Sequence, residues 1–255
     1  MSGILLTADG LDLSKWANGM VFPYMETCEY MNVLTQGVDL TRNLAPGKPK
    51  GRVVGTPVGG SGFVTLSQNN YIQTEVPHGD NYTVFTVARQ GSAELMLVSN
   101  YGSPRTDGLA TGNTQGMSFM MRPSGGSGSL VSIQFVRKAD GTSTGDELNQ
   151  ANLGLPLADV GKFKLQFQTL RGPSAGNRFI TNWDATAGMI SSTRPLNSTV
   201  NAKGSALRVG AGYSFGSNSV DIAFVAIWNR QMSDPELLAV RDFARAAVAG
   251  NGITA

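Results

Sequence analysis

A Gly-x-Ser-x-Gly pattern at residues 212–216 is the segment of this chain that most directly suggests catalysis. In α/β-hydrolases this pattern presents a nucleophilic serine on a turn between a strand and a helix, and the histidine base follows the serine in the chain. Here both neighbouring segments have the residue pattern of strands, and the only histidine, His78, lies upstream of Ser214. We therefore interpret the glycines as turn residues and expect no serine-based catalysis.

Oxygen-bearing side chains at alternate positions of a glycine-containing loop suggest a metal site: Asp140, Thr142, Thr144 and Asp146. Calcium binds about six to eight hard oxygen ligands, so this loop is a candidate Ca²⁺ site. The loop lacks the repeated Asp or Asn and the closing Glu of an EF-hand, which favours a solvated turn. Our prediction is no cofactor, with Ca²⁺ at this loop as the alternative.

Two sets of residues have the chemistry of a sugar-binding site, because a pyranose stacks on an aromatic ring while its hydroxyls bond to amides and carboxylates. The first set, expected at the tip of a hairpin, is Asn182, Trp183 and Asp184. The second set, in the loop after a predicted strand at 94–99, is Asn100, Tyr101 and Arg105. A loop aromatic packs against its own protein more often than it binds a ligand, so packing is the alternative for both sets.

The elements that must position these residues are short segments of alternating apolar and polar residues, the pattern of β-strands. Segment 222–228 is apolar at every position, which predicts a central strand covered on both sides. Strict alternation would place Ile222, Phe224, Ala226 and Trp228 on one face of this strand.

A helix signal follows this strand. Ser233 is a suitable N-cap, Glu236 three residues later completes a capping box, and Pro235 lies in the first turn. Apolar residues then recur at helical spacing until Gly250. The sequence predicts a helix over 233–248.

The composition is typical of one large β domain. The chain has 255 residues with 32 Gly, 11 Pro and 15% charged residues, as expected for many strands joined by tight turns. The net charge of +2 indicates no face for nucleic acid, and a lone Cys28 excludes an intrachain disulfide. The N-terminal residues lack the basic and apolar regions of a signal peptide, and no segment has the pattern of a membrane span. We therefore expect synthesis in the cytoplasm without an export signal, and no membrane insertion.

The order of these segments resembles concanavalin A-like (laminin-G-like) jelly rolls. The stretch Leu-x-Val-Gly, then Ile-Ala-x-Val-x-Ile-Trp-Asn-Arg, then Met-Ser-Asp-x-Glu at residues 207–236 is similar to the family's last inner strand and its short helix. Upstream, Asp-Leu-Thr-Arg-Asn from residue 39, Gly-Arg-Val-Val-Gly-Thr-Pro from residue 51 and Tyr-Ile-Gln-Thr from residue 71 are similar to its opening. The resemblance implies an all-β, two-sheet antiparallel jelly-roll sandwich over residues 39–255 with a short C-terminal helix.

Glycosidases also occur on concanavalin A-like folds. Those of the laminarinase type carry a Glu-x-Asp-x-x-Glu strand, which sets two carboxylates about 5 Å apart for retaining hydrolysis. That triplet does not occur in this chain, so we expect no turnover of glycosides or esters. The alternative is a glycan-active hydrolase or lyase whose carboxylates come from distant loops.

Residues 1–38 precede this resemblance and are dense in aromatic and methionine side chains: Trp16, Met20, Phe22, Tyr24, Met25, Tyr30 and Met31. If exposed together they would form an apolar patch of roughly several hundred Å², which monomers rarely tolerate. They either extend the core of the domain or form an arm that docks on another subunit. We expect an assembly arm, so that deleting 1–38 would leave a folded β domain unable to assemble.

Together with the missing export signal and disulfides, the resemblance implies a non-enzymatic structural or adhesion protein of a tailed-phage virion. Such domains serve as capsid decoration or as tail and fibre parts. The expected partners are other virion proteins and further copies of this chain, as a homo-oligomer, with host-surface polysaccharide as the candidate ligand. A bacterial cytoplasmic lectin is a further alternative.

Overall fold

The computed structural model describes residues 22–91, 93–108, 111–124, 127–137, 146–172, 177–198, 200–214 and 218–255. The strands are β1 (Cys28–Val33), β2 (Arg52–Val54), β3 (Val58–Gly60), β4 (Phe63–Leu66), β5 (Tyr71–Gln73), β6 (Tyr82–Arg89), β7 (Leu95–Ser99), β8 (Ser103–Pro104), β9 (Asn113–Thr114), β10 (Met117–Ser124), β11 (Ser127–Arg137), β12 (Asp146–Leu155), β13 (Phe163–Arg171), β14 (Phe179–Asp184), β15 (Ile190–Pro195), β16 (Arg208–Val209) and β17 (Val220–Trp228). The helices are α1 (Asp234–Ala249) and short 3₁₀ turns at Met25–Thr27 and Leu157–Asp159.

Apart from β8 and β9, which pair with each other, the strands form two large antiparallel sheets that pack face to face. The first sheet has the order β15-β14-β13-β6-β17-β4-β3, and β1 pairs with β17 beside β4. The second sheet has the order β12-β11-β10-β7-β16-β5-β2. An apolar cluster with side chains from both sheets, including Ile72, Val84, Phe119 and Ile227, fills the space between them. The predicted two-sheet antiparallel sandwich is confirmed.

Strand β17 lies in the middle of the first sheet, with β6 on one edge and β4 and β1 on the other. A register shift between Ile222 and Phe224 interrupts its alternation. Ile222 therefore packs between the sheets, whereas Phe224 and Trp228 pack on the outer face of the first sheet. The central position was predicted correctly, but Ile222 is on the opposite face from the one expected, because a bulge adds a residue to one strand.

Helix α1 covers the outer face of the first sheet. Its buried residues are Leu237, Val240, Ala244 and Val248, at the spacing of one helical face. Ser233 is the N-cap, and its backbone N–H donates to Glu236 Oε2 at 2.6 Å within a complete capping box. The predicted helix is confirmed, with its ends within one residue. Within the described part of the chain, no helix combines the length and the hydrophobicity that crossing a bilayer would need.

The segment before residue 39 belongs to the sandwich. Strand β1 pairs with β17, with Met31 opposite Ala226, and Tyr30 and Met31 are each 1% exposed. Tyr30 packs between the sheets, and Met31 packs under α1. The boundary that we placed at residue 39 therefore does not coincide with the edge of the domain, because a long-range strand pairing brings β1 into the first sheet.

Phe22 continues this packing. Its ring stacks on Phe224 at 5.5 Å and Trp228 at 6.0 Å, and meets Phe243 of α1 edge-on at 4.6 Å, all between ring centroids. Tyr24 and Met25 pack against the same cluster. The expectation that these side chains lack an intramolecular site is therefore wrong for Phe22, Tyr24, Met25, Tyr30 and Met31. Trp16 and Met20 lie outside the described residues.

Candidate functional site

The first predicted sugar-binding set is inside the sandwich. Asn182, Trp183 and Asp184 form the end of β14, which pairs with β13 on one side and β15 on the other. Asn182 is fully buried, and its Nδ2 donates to the carbonyl oxygens of Leu130 at 2.7 Å and Ala151 at 3.0 Å in the second sheet. Trp183 is 8% exposed and packs with the apolar cluster under α1. The prediction of a hairpin-tip platform is wrong, because these residues lie within the strand and face the two cores.

Two residues of the second predicted set, Arg105 and Asn100, lie in two different buried polar clusters. In the first cluster, Arg105 Nη2 lies 2.6 Å from Asp107 Oδ2, and Arg105 Nη1 lies 2.8 Å from Asp146 Oδ2. Thr114 Oγ1 also donates to Asp146 Oδ2 at 2.8 Å. The hydrogen bonds that the guanidinium donates to Asp107 and Asp146 hold its pKa above its ordinary value. The Arg105 guanidinium is therefore bonded within the protein, to Asp107 and Asp146, and does not contribute to a sugar-binding surface.

This ion cluster also accounts for one of the predicted calcium ligands. Both carboxylate oxygens of Asp146 accept hydrogen bonds from Arg105, so a cation would have to displace a guanidinium. Asp140, Thr142 and Thr144 lie outside the described residues. Among the residues that are described, no group of three or more His, Cys, Asp or Glu side chains is arranged to hold a metal.

Asn100 belongs to the second polar cluster, centred on His78. Its Nδ2 donates to His78 Nδ1 at 3.1 Å, and its Oδ1 accepts from the Met117 backbone N–H at 2.8 Å. On the other side of the ring, His78 Nε2 lies 3.2 Å from Gln134 Oε1, which also accepts from the Tyr82 hydroxyl at 3.0 Å. These contacts assign the proton to Nε2, because an amide oxygen only accepts. The cluster links the loops at the end of the sandwich to its interior.

Burial lowers the pKa of His78 to about 4, with smaller contributions from Gln134, which raises it, and from the cation of Lys203, which lowers it. His78 is 4% exposed, and within the described residues no carboxylate contacts its ring. A general base needs access to its substrate. We therefore assign His78 a structural role.

The stability of the fold is expected to decrease by about 2 kcal/mol between pH 7 and pH 5 because of His78. The unfolded chain takes up this proton near pH 6.5, whereas folded His78 takes it up only near pH 4. In this window the unfolded state binds more protons, so acidification favours unfolding. Urea unfolding at both pH values measures the difference. The His78→Gln variant should lose most of the pH dependence, and an unchanged slope in that variant would contradict the assignment.

Cys28 is the other side chain with potential nucleophilic chemistry. It is fully buried in β1, and its Sγ donates to the Tyr30 carbonyl oxygen at 3.2 Å. Burial raises the pKa of the thiol to about 12. Because the thiolate is the reactive form of cysteine, Cys28 is a packing residue.

An aromatic–arginine stack that the sequence did not reveal lies on the second sheet. The guanidinium carbon of Arg208 is 4.3 Å from the ring centroid of Tyr71 and 3.5 Å from that of Tyr213. Arg208 Nε donates to Gln73 Oε1 at 2.9 Å, and Nη1 donates to the Gly212 carbonyl oxygen at 2.9 Å. We call Tyr71, Gln73, Arg208 and Tyr213 the stacked-arginine surface.

The register of the sheet places this surface on the outside of the sandwich. Gln73 is the direct partner of Arg208 on one side and of Arg52 on the other, so the three side chains project from the same face. Ile72 and Val209 alternate with them and point into the core. Helix α1 lies on the opposite side of the molecule, against the first sheet.

The loop after β16 fixes the position of Tyr213. Its backbone N–H donates to the Tyr101 carbonyl oxygen at 2.7 Å, and its hydroxyl donates to the Ala206 carbonyl oxygen at 2.8 Å. Ser214 packs closely on Gly102, where an added Cβ would lie 1.8 Å from the serine Oγ. Within the pattern, the described residues 212–214 hold Tyr213 against the loop that contains Tyr101 and Gly102. Tyr101 is the one predicted sugar-binding residue next to this surface.

No family model matches this chain, and no curated protein matches it. The solved structures similar to it include the ligand-binding domain of botulinum neurotoxin serotype D in complex with N-acetylneuraminic acid, with a TM-score of 0.57, 8% identity, and coverage of 86% of this chain and 51% of that one. The binding domain of botulinum neurotoxin DC in complex with SialylT has a TM-score of 0.58, 8% identity, and coverage of 88% and 52%. The type G receptor-binding domain has a TM-score of 0.54, 10% identity, and coverage of 86% and 51%.

The chain therefore spans about half the length of these binding domains. At this level of identity the similarity concerns the fold: a β-sandwich of the kind found in receptor-binding and ligand-binding domains. The narrower resemblance to concanavalin A-like domains of phage virions remains a prediction from the sequence.

Proposed function

We propose that this chain is a non-enzymatic carbohydrate-binding module that uses the stacked-arginine surface. The observation that carries the proposal is a half-buried tyrosine ring, Tyr213, fixed beside the amide of Gln73 and the guanidinium of Arg208 on an outer sheet face. A pyranose presents an apolar C–H face to such a ring, and its hydroxyls bond to planar polar groups at the ring's edge.

Binding is favoured over catalysis by the chemistry at this surface. Gln73, Arg208 and the two tyrosines donate or accept hydrogen bonds and stack, but they supply no carboxylate pair for hydrolysis. Ser214, at the edge of the surface, has its backbone hydrogen-bonded to Tyr101 and lies on a turn after β16. His78, which could have served as a base, is buried and neutral. A glycan-active enzyme with a site elsewhere on the fold is the alternative.

The solved structures support a binding role at the level of fold class. The similar botulinum domains were solved with N-acetylneuraminic acid, with SialylT and with rat synaptotagmin II. Sandwiches of this shape are therefore parts of proteins that bind sugars and protein receptors. We propose that the present chain shares this binding property.

We place the module in a tailed-phage virion, as capsid decoration or as a tail or fibre component made in the host cytoplasm. Host-surface polysaccharide is the proposed ligand, and other virion proteins or further copies of this chain are the proposed partners. Support comes from the sequence resemblance and from the composition, which has few charged residues, many turn-forming glycines and a single cysteine. We propose that homo-oligomerisation through the N-terminal segment uses residues before Phe22. Phe22 and the aromatic and methionine side chains of the segment that follow it pack within the chain.

A glycan array probed with the full chain, followed by calorimetry of its strongest ligand, tests the proposed function. Tyr213→Ala is expected to weaken binding about tenfold or more, because it removes the stacking platform. Tyr213→Phe keeps the ring and should retain most of the affinity. Equal melting temperatures of the variants would separate a binding effect from a folding effect. An array without any bound glycan, or affinity that Tyr213→Ala leaves unchanged, would refute the proposal.

A further inference from the structure

Two arginines flank Gln73 on the outer face of the second sheet. Arg52 in β2 and Arg208 in β16 are both direct register partners of Gln73 in β5. Adjacent strands are about 4.8 Å apart, so the backbones of the two arginines are separated by about 10 Å. Arg52 is exposed and Arg208 is half-buried. Both cations therefore project on the same side of the sandwich.

These two charges are not neutralised within the described residues: no ion pair joins Arg52 or Arg208 to a described carboxylate. Some other arginines on the two sheets do have such partners, such as Arg89 with Asp221 and Arg122 with Glu94, whereas Arg194 in β15 has none among the described residues. Glu75, two positions after Gln73, is the acidic residue closest in sequence to the residues of the stacked-arginine surface. Its side chain lines a cleft together with Glu29 and Tyr30, and it forms no ion pair with either arginine.

The stack determines from which direction a ligand reaches Arg208. The rings of Tyr71 and Tyr213 cover the guanidinium, so access is limited to the edge of its plane. At that edge, Nε is bonded to Gln73 and Nη1 to the Gly212 carbonyl oxygen. The third nitrogen, Nη2, donates no hydrogen bond to any described residue. A planar anion suits such a donor, because an in-plane N–H of a guanidinium makes short, charge-assisted bonds to carboxylates.

We infer that the stacked-arginine surface is specific for acidic saccharides, with the carboxylate of a uronic or nonulosonic acid bound to Arg208 Nη2. Arg52 supplies the second positive charge, and the sugar ring stacks on Tyr213. This inference rests on the proposed function and adds the class of ligand. Two cations on one face without an ion-pair partner would favour an acidic over a neutral sugar, because charge complementarity contributes to specificity.

Matched acid and ester probes test the inference in the full-length chain. The first pair is oligogalacturonate and its methyl ester, and the second is the α-methyl glycoside of N-acetylneuraminic acid and its methyl ester. Within each pair the sugar is the same and only the carboxylate charge differs. For at least one pair, calorimetry at low salt is expected to show that the acid binds about tenfold or more tightly than the ester. The difference should shrink at higher salt.

Arg52→Gln is expected to reduce the preference for the acid about twofold to fivefold. Arg194→Gln is the matched control, because Arg194 is exposed in β15 of the other sheet and the same charge is removed there. An equal effect of both variants would show a non-specific charge effect and refute the inference. Equal affinity for acid and ester, or binding of neutral glycans alone, would also refute it while leaving the proposed function standing. Failure to bind any glycan on the array would refute the proposed function itself.

Discussion

Trp228→Ala is expected to lower the free energy of unfolding by about 3–5 kcal/mol. Trp228 is fully buried at the end of β17, where its ring stacks on Phe22 with 6.0 Å between centroids. Its Nε1 donates to the Tyr24 carbonyl oxygen at 3.0 Å. The substitution removes a fully buried indole, leaves a cavity under α1, and removes the hydrogen-bond donor to the Tyr24 carbonyl oxygen.

Urea unfolding followed by circular dichroism measures this loss. Ile190→Ala is the matched control, because Ile190 is 59% exposed in the edge strand β15 and its truncation should change stability by less than about 0.5 kcal/mol. Trp228→Phe, which keeps an aromatic ring but not the donor, should lie between the two. A loss below about 1 kcal/mol for Trp228→Ala would mean that the packing around Phe22 contributes little.

Deleting residues 1–38 is expected to prevent the chain from folding, the reverse of what the sequence suggested. The deletion removes β1, which pairs with β17 from Cys28 to Val33. It also removes four side chains that are nearly or fully buried: Phe22, Tyr30, Met31 and Leu34. Each truncation of such a side chain costs about 2–5 kcal/mol, so their combined loss of about 8–20 kcal/mol is as large as the whole stability of about 5–15 kcal/mol of a typical domain.

A chain that begins at residue 22 is the control, since it retains β1 and all four of these side chains. We expect it to unfold cooperatively, whereas the chain that begins at residue 39 should show neither a cooperative thermal transition nor dispersed amide resonances. If the shorter chain folds cooperatively with a native circular dichroism spectrum, β1 is dispensable. The interpretation of residues 1–38 as a separate arm would then be correct after all.

The sequence by itself determined the parts of the fold that depend on neighbouring residues. The capping box from Ser233 to Glu236 and the spacing of apolar residues defined α1 to within one residue. The run of apolar residues at 222–228 identified β17 as a central strand. Both signals are local, because helix capping involves residues three apart and strand burial is visible in a single segment.

Tertiary structure alone decided which segments meet. The bulge at Ile222 and the pairing of β1 with β17 depend on contacts across the sheet, such as that between Cys28 Sγ and the Ile227 carbonyl oxygen, 199 positions apart. Trp183 was expected at a turn but is buried, because β14 pairs with a strand on each edge. The types of three neighbouring residues do not reveal such pairing.

The candidate site is also assembled from segments that are far apart in the chain. Strand β16 is only two residues long, too short for any periodicity, and Arg208 lies far from Tyr71 and Gln73 in the chain. These residues became neighbours because β5 and β16 pair in register, and the residues directly after β16 bring Tyr213 onto the guanidinium. Side-chain type indicated where sugar-binding chemistry was available, but only strand pairing determined which of these side chains face solvent together.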